Sequence, residues 1–337
     1  DDDVVTTLFV ANTHTQLLFF TTDGMAYKLK TWRLPAGGRN ARGKAIINIL
    51  PIPQGTSIAA IMPVDRPEED WKDLQIVFAT STGDVRRNRL DDFTRVKSNG
   101  KIAMKLPDGV DLINARICTE DDDVVLMTAA GKAIRFPVTD VRVFKGRDST
   151  GVRGIRLSGD NHVVSMSVIR HFEATSEERQ AFLKMRRAVA GLEDSDDDEG
   201  EDAPNDTTIS QERYVEMSAA EDLILTLTEK GAGKLSSSHD YPVRGRGGQG
   251  VTAMDKAMRG GQLVASFPVS IDDQIMLVTD TGQSIRCPVS GISFRSRSAG
   301  GVRVFNTSGE EKVVSVAWIA EQGEAEEENT PDPQSGE

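Results

Sequence analysis

The chain has 337 residues, 38% of them apolar, and lacks the uninterrupted apolar stretch of roughly 18 residues that a membrane-spanning helix needs. Its net charge of −12 would argue against a polyanionic partner, but the charge is unevenly placed. Residues 172–222 hold 16 acids against 5 bases, residues 321–337 hold 7 acids and no base, and what is left carries +6. Four scattered histidines and two cysteines, Cys118 and Cys287, give neither metal-ligand spacing nor a disulfide framework, which fits reduced thiols.

Residues 4–10 and 16–20 are strand-like, and Thr21-Thr22-Asp23-Gly24 is a turn. The strand after it carries Lys28 and Lys30, with Arg33 just beyond. The following loop, 34–44, is rich in glycine and holds Arg39, Arg42 and Lys44; backbone of this kind can approach a phosphate closely with cations beside it. The second unit is the clearest. An apolar run at 74–79 meets the turn Ser81-Thr82-Gly83-Asp84, and a basic strand at 85–90 carries Arg86 and Arg87. A polar loop with Arg95 and Lys97 ends in Gly100-Lys101. Short apolar stretches at 102–106 and 112–117 complete four strands that read as one small antiparallel sheet.

The pattern recurs. Gly131 precedes a strand with Arg135, then a loop with Lys145, Arg147, Arg153 and Arg156. Gly231 precedes Lys234, then Arg244 and Arg246. Gly282 precedes Arg286, then Arg295, Arg297 and Arg303. A closing apolar strand also recurs, at 57–62, 162–166, 262–266 and 312–316. Four-stranded repeats of about 40–50 residues indicate a radial β architecture. Equivalent loops of a radial array share one rim, so the basic loops predict a curved cationic track.

Between the third and fourth units, Thr175-Ser176-Glu177-Glu178 is a capping-box pattern that opens a helix to about residue 189, with Gly191 as its stop. The acidic, proline-containing run 193–206 reads as disordered, and 210–220 reads as a second short helix. The tail from residue 321 is acidic and reads as disordered too; it could compete with a polyanion for the rim. The expected organisation is therefore propeller-like blades at 4–171, an acidic insertion at 172–218, blades at 219–320, and a disordered tail at 321–337. The fold class is all-β, with a partly helical, partly disordered insertion.

Val10-Ala11-Asn12-Thr13-His14-Thr15 through Asp23-Gly24, then Tyr27-Lys28, Leu34-Pro35 and Ala41-Arg42-Gly43-Lys44-Ala45-Ile46-Ile47-Asn48-Ile49-Leu50-Pro51, resemble the DNA gyrase A C-terminal domain. Asp108-Gly109, Thr150-Gly151-Val152-Arg153-Gly154-Ile155-Arg156-Leu157 and Ile275-Met276-Leu277-Val278-Thr279-Asp280 are similar to later units of that domain. The resemblance implies a β-pinwheel, a propeller-like ring of hairpin-exchanging four-stranded blades that wraps double-stranded DNA around its rim. It also implies a role in negative supercoiling beside the rest of gyrase A and gyrase B in an A2B2 topoisomerase. The setting it implies is the bacterial cytoplasm, at the nucleoid, with no membrane, no cofactor and no catalytic residue in this region. Opening on Asp1-Asp2-Asp3, without signal-peptide character, agrees with that setting. The family has six units, and five are read here. Its diagnostic heptad would fall in a unit ahead of Asp1; the nearest look-alike, Arg244 to Gly250, lies in the fourth unit.

Three other functions compete. The corresponding C-terminal domain of topoisomerase IV shares the fold but resembles residues 10–51 less. A protein-interaction propeller would present an apolar face. A propeller enzyme would need polar groups converging on a central channel, and no such set is present: there is no P-loop ending after Gly250, and Tyr27, Tyr214 and Tyr241 read as packing residues.

Overall fold

The computed structural model describes residues 7, 9–38, 41–146, 149–189, 208–255 and 260–319. Unit 1 contributes β1 (Gln16–Thr21), β2 (Met25–Lys30) and β3 (Ile58–Val64). Unit 2 contributes β4 (Gln75–Thr80), β5 (Asp84–Arg89), β6 (Lys101–Ile102) and β7 (Leu112–Cys118). Unit 3 contributes β8 (Asp122–Thr128), β9 (Lys132–Pro137), β10 (Val152–Arg153) and β11 (Val163–Arg170). Two helices follow, α1 (Ser176–Val189) and α2 (Gln211–Ala219). Unit 4 contributes β12 (Leu223–Thr228), β13 (Ala232–Ser237), β14 (Val251–Thr252) and β15 (Leu263–Val269). Unit 5 contributes β16 (Gln274–Thr279), β17 (Ser284–Pro288), β18 (Val302–Arg303) and β19 (Val313–Ile319). No described helix is long and apolar enough to cross a membrane. Residues 9 and 10 lie outside any strand; of the strand expected at 4–10, residues 4–6 and 8 fall outside the described residues.

The sheets run β3-β1-β2-β6, β7-β4-β5-β10, β11-β8-β9-β14 and β15-β12-β13-β18, with a three-stranded fifth, β19-β16-β17. This corrects the single-sheet reading of residues 74–117. The short strand β6 leaves its own unit and pairs with β2, Met25 opposite Ile102 and Ala26 opposite Lys101. Its own sheet has no room for it, because the outer edge of β5 is taken by β10 of the next unit. The same hand-over repeats at every seam. Only β17 has no outer partner among the described residues.

Each unit's first strand is apolar along nearly its whole length because both its faces are buried. Side chains alternate across a strand, so β4 sends Ile76 and Phe78 into a core shared with Leu18 and Phe20 of unit 1, and Val77 and Ala79 into a core shared with Val124 and Leu126 of unit 3. Phe20 and Phe78 meet edge to face at 5.3 Å. β8 and β12 divide in the same way, Val125 and Met127 meeting Ile224, and Leu225 and Leu227 meeting Ile275 and Leu277. The closing strands lie side by side, β3 on β7, β7 on β11, β11 on β15 and β15 on β19. The outer strands and the loops leading to them are thereby placed at the opposite edge.

A threonine three residues before each turn glycine sets the hairpin. Thr21, Thr80, Thr128, Thr228 and Thr279 are all nearly fully buried. Each hydroxyl accepts the N–H of the residue after the glycine, at 3.1–3.2 Å. Gly231 has φ +78°, and a Cβ there would stand 2.3 Å from the Phe305 carbonyl, where the strand donated by unit 5 crosses it. Gly282 has φ +83° but open space around it, because no donated strand crosses β17. Gly282→Ala should therefore cost only the left-handed backbone strain, about 1–2 kcal/mol. Gly231→Ala should lose more, since it also displaces β18. Urea midpoints of the two variants check the difference.

Between units 3 and 4, the expected capping box forms. Thr175 Oγ1 accepts from Glu178 N at 3.2 Å, and the Glu178 carboxylate accepts from Thr175 N at 2.9 Å. Ser210 caps α2 through Arg213 N. Gly191 and the acidic run lie outside the described residues. Phe172 and Phe182 pack edge-on against the ring of His239, which is buried and donates Nε2–H to the Met217 carbonyl at 2.8 Å. Burial, then the charges of Arg179 and Arg135, hold the His239 pKa below its ordinary value against the opposing hydrogen bond to Met217. The unfolded chain therefore takes up a proton first, and this contribution to stability is lost as pH falls through about 6.5. His171 acts in the opposite sense: burial opposes its charge, but Glu173 and Asp123 outweigh it and raise its pKa, so its share is lost as pH rises. His239→Gln leaves His171 in place. It should flatten the loss of melting temperature between pH 7.5 and 5.5 relative to the unchanged chain.

Candidate nucleic-acid interface

In every unit the second strand ends in a 3-10 turn followed by an outer loop; in units 2–5 that loop runs to the strand donated backwards, and in unit 1 it runs through a further 3-10 turn (Ile46–Asn48) toward β3. Exposed cations recur on these turns and loops: Arg33, Arg42 and Lys44 in unit 1; Arg95 and Lys97 in unit 2; Lys145 in unit 3; Arg244 and Arg246 in unit 4; Arg295 in unit 5. Arg153 and Arg303, also exposed, end the donated strands β10 and β18, and exposed Arg156 lies just past β10. Lys30 at the end of β2 and Arg286 on the open strand β17 are exposed as well. Arg39 and Arg147 lie outside the described residues. Arg142, which sits two residues past a 3-10 turn and away from any loop glycine, was not among the expected contacts. It is exposed on the third loop and stacks on Phe144 at 3.9 Å.

The cations on the second strands behave differently. Arg86, Arg87, Arg135 and Lys234 are buried, at 1%, 5%, 2% and 0% exposure, where no phosphate of a duplex can reach them. The reason is the strand exchange, which turns each of these strands from an edge into an interior strand. Three of these cations reach the next unit's 3-10 turn or outer loop and hold its carbonyls. Arg86 Nη1 donates to the Ser149 carbonyl, and Arg135 Nη1 to the Ser238 carbonyl at 2.7 Å. Lys234 Nζ donates to the carbonyls of Ser296 at 2.9 Å and Ala299 at 2.6 Å, and also to that of Arg297. Arg87 instead holds Gln75 Oε1 at 2.8 Å. Lys28, half-buried, bridges Glu68 at 2.5 Å and the Thr94 carbonyl. Apart from Arg87, these groups are internal clasps that fix the turns and loops near the exposed cations.

Two further expected contacts are also partly committed to the fold. Lys101 is half-buried and donates to the Asp92 carbonyl. Arg297 is half-buried, with Nε on the Asp240 carbonyl at 2.9 Å and Nη1 on the Thr252 carbonyl, so it staples unit 5 to unit 4. Arg246 keeps exposed surface but ties Nε to the Asp140 carbonyl at 2.9 Å and Nη1 to the Arg153 carbonyl at 3.1 Å. Asp123, fully buried, takes Arg135 Nε at 2.8 Å and His171 Nδ1 at 2.9 Å, which neutralises the clasp at the base of the helical insertion.

An array of four-stranded blades that pass their outer strands from one to the next defines a β-pinwheel. The family described as "DNA gyrase C-terminal domain, beta-propeller" matches residues 15–65, 75–119, 122–170, 222–270 and 273–317, one segment for each unit. The chain belongs to this family. It is 45% identical over 333 residues to the DNA gyrase A protein of Granulibacter bethesdensis, covering 95% of this chain and 35% of that protein. It is 40% identical over 335 residues to that of Rickettsia bellii, covering 98% of this chain and 36% of that protein. The chain thus spans about a third of the length of these relatives. Among solved structures, a DNA gyrase A C-terminal domain superposes with a TM-score of 0.65 at 20% identity, covering 92% of this chain and 84% of that one. The C-terminal domain of a DNA topoisomerase IV does so with a TM-score of 0.68 at 19% identity, covering 92% and 80%. At these identities the two structures bear on the fold alone.

Proposed function

We propose that this chain binds duplex DNA along its outer loops without reading sequence, bends it around the array, and serves as the DNA-wrapping part of a DNA gyrase A protein. The observation that carries this reading is the recurrence of exposed Arg and Lys on the outer loop of all five units, at the edge away from the closing strands. Cations spaced along a curved edge neutralise successive phosphates, and bending the duplex brings more of them into reach. A bend of 40–90° over 20–30 base pairs costs about 1–6 kcal/mol, which the added phosphate contacts offset. In this reading the chain works beside the rest of gyrase A and gyrase B in an A2B2 enzyme, in the bacterial cytoplasm at the nucleoid. Strand cleavage and nucleotide turnover belong to those other parts, and the pinwheel needs no cofactor of its own.

The test is the salt dependence of duplex binding, read by fluorescence anisotropy on unrelated sequences of equal length. With 6–10 phosphate contacts, affinity should fall roughly 10³–10⁵ between 50 and 200 mM salt. Binding that does not change with salt, or that follows base sequence, would overturn the proposal.

A further inference from the structure

A cavity of about 140 Å³ opens at the seam between units 3 and 4, walled by Lys132, Arg156, Ser158, Asn161 and Gln249 with Leu157 as its apolar side. None of the residues lining it is acidic. Its donors are held in place. Asn161 Oδ1 accepts from the N–H groups of Ala130 at 2.9 Å and His162 at 3.0 Å, which fixes the amide and leaves its Nδ2 hydrogens for the cavity. Lys132 is exposed, and its Nζ is tethered to Thr252 Oγ1 at 3.2 Å. Arg156 is exposed while its backbone N–H is fixed to the Gly248 carbonyl at 2.7 Å, which joins the wall from unit 3 to the loop of unit 4.

The other seams lack this set. At the position of Lys132, directly after the turn glycine, the remaining units carry Met25, Asp84, Ala232 and Gln283. At the position of Arg156, four residues past the start of the donated strand, they carry Lys105, Asp255 and Asn306. Two cations with an oriented amide between them suit a tetrahedral anion, with the guanidinium fork taking two of its oxygens.

We propose that this cavity seats a single phosphodiester group of the duplex backbone and so fixes the register of DNA across units 3 and 4. The inference rests on the DNA-binding function proposed for the outer loops and adds one defined anchor to it. Because two cations serve one phosphate, Lys132→Gln with Arg156→Gln should lower the slope of log affinity against log salt by about 0.9, the value of one phosphate. Arg95→Gln with Lys97→Gln, two separate contacts, should lower it by about 1.8.

A second readout does not need DNA. Inorganic phosphate, added at constant ionic strength against chloride, should shift the Asn161 side-chain amide and Arg156 Nε signals of the full chain in a saturable way. The Asn161 shift, the one that can be followed in both proteins, should vanish in the Lys132/Arg156 double variant. No shift beyond chloride, or an equal shift in the double variant, would overturn the anchor. Duplex binding without salt dependence would overturn the wider DNA-binding function instead, so the two failures are told apart.

Discussion

Neutralising Arg42, Lys44, Arg95 and Lys97 together as glutamines is expected to weaken duplex binding by roughly 10³–10⁴ near 0.1 M salt. The figure follows from counterion release: each phosphate contact adds about 0.9 to the salt slope, or about eightfold in affinity over the decade between 0.1 and 1 M. All four residues are exposed on the loops of units 1 and 2. Their loss should leave the fold untouched, because exposed charges of this kind contribute little to stability. Lys72, Lys184 and Lys312 are equally exposed but lie outside the outer loops, and neutralising all three should lower the slope by no more than about 1. Anisotropy titrations of the two variants at several salt concentrations check this; equal losses would show that net charge, not placement, governs binding.

Lys234→Met is expected to destabilise the chain by about 3–5 kcal/mol, since each of three carbonyls that loses its donor costs about 1–3 kcal/mol, from a total that is typically about 5–15 kcal/mol. The ammonium is fully buried and holds three carbonyls of the unit 5 loop. Methionine fills the space but leaves those oxygens without donors. Hydrogen exchange should accelerate first over residues 293–303, ahead of the inner strands. The salt slope of DNA binding should also fall, although Lys234 itself is out of reach of any phosphate. Arg286 on the open strand β17 is exposed, and Arg286→Met should leave the urea midpoint nearly unchanged. A loss at Arg286 as large as at Lys234 would contradict the clasp.

The repeat, the turn glycines and the helical insertion were legible in the sequence because each leaves a local signature: an apolar run ahead of a fixed glycine, or a Thr-x-x-Glu cap. The strand exchange was legible only through the family resemblance, not in the residues of any one unit. β6, β10, β14 and β18 are two residues long, too short to show a period, and nothing local says which sheet they join. That omission also explains the misplaced cations. Arg86, Arg87, Arg135 and Lys234 sit on strands that are interior only because a neighbour lends an edge. Arg286 stays exposed, on the one strand without that neighbour among the described residues. Sorting cations by whether they fall on a strand or in a loop would have separated most clasps from the surface set. The threonine three residues before every turn glycine was also in plain view at 21, 80, 128, 228 and 279, hidden only by the varied residues between.

If the loop cations of successive units act together on one curved duplex, the chain must change the path of the DNA it binds. The most direct test is to relax a closed DNA circle with a nicking-closing enzyme in the presence of this chain and read the linking number. The expected result is a shift of a single sign that grows with protein bound, fades at high salt and is lost in the Arg42, Lys44, Arg95 and Lys97 variant. Saturated binding with an unchanged linking-number distribution would contradict it.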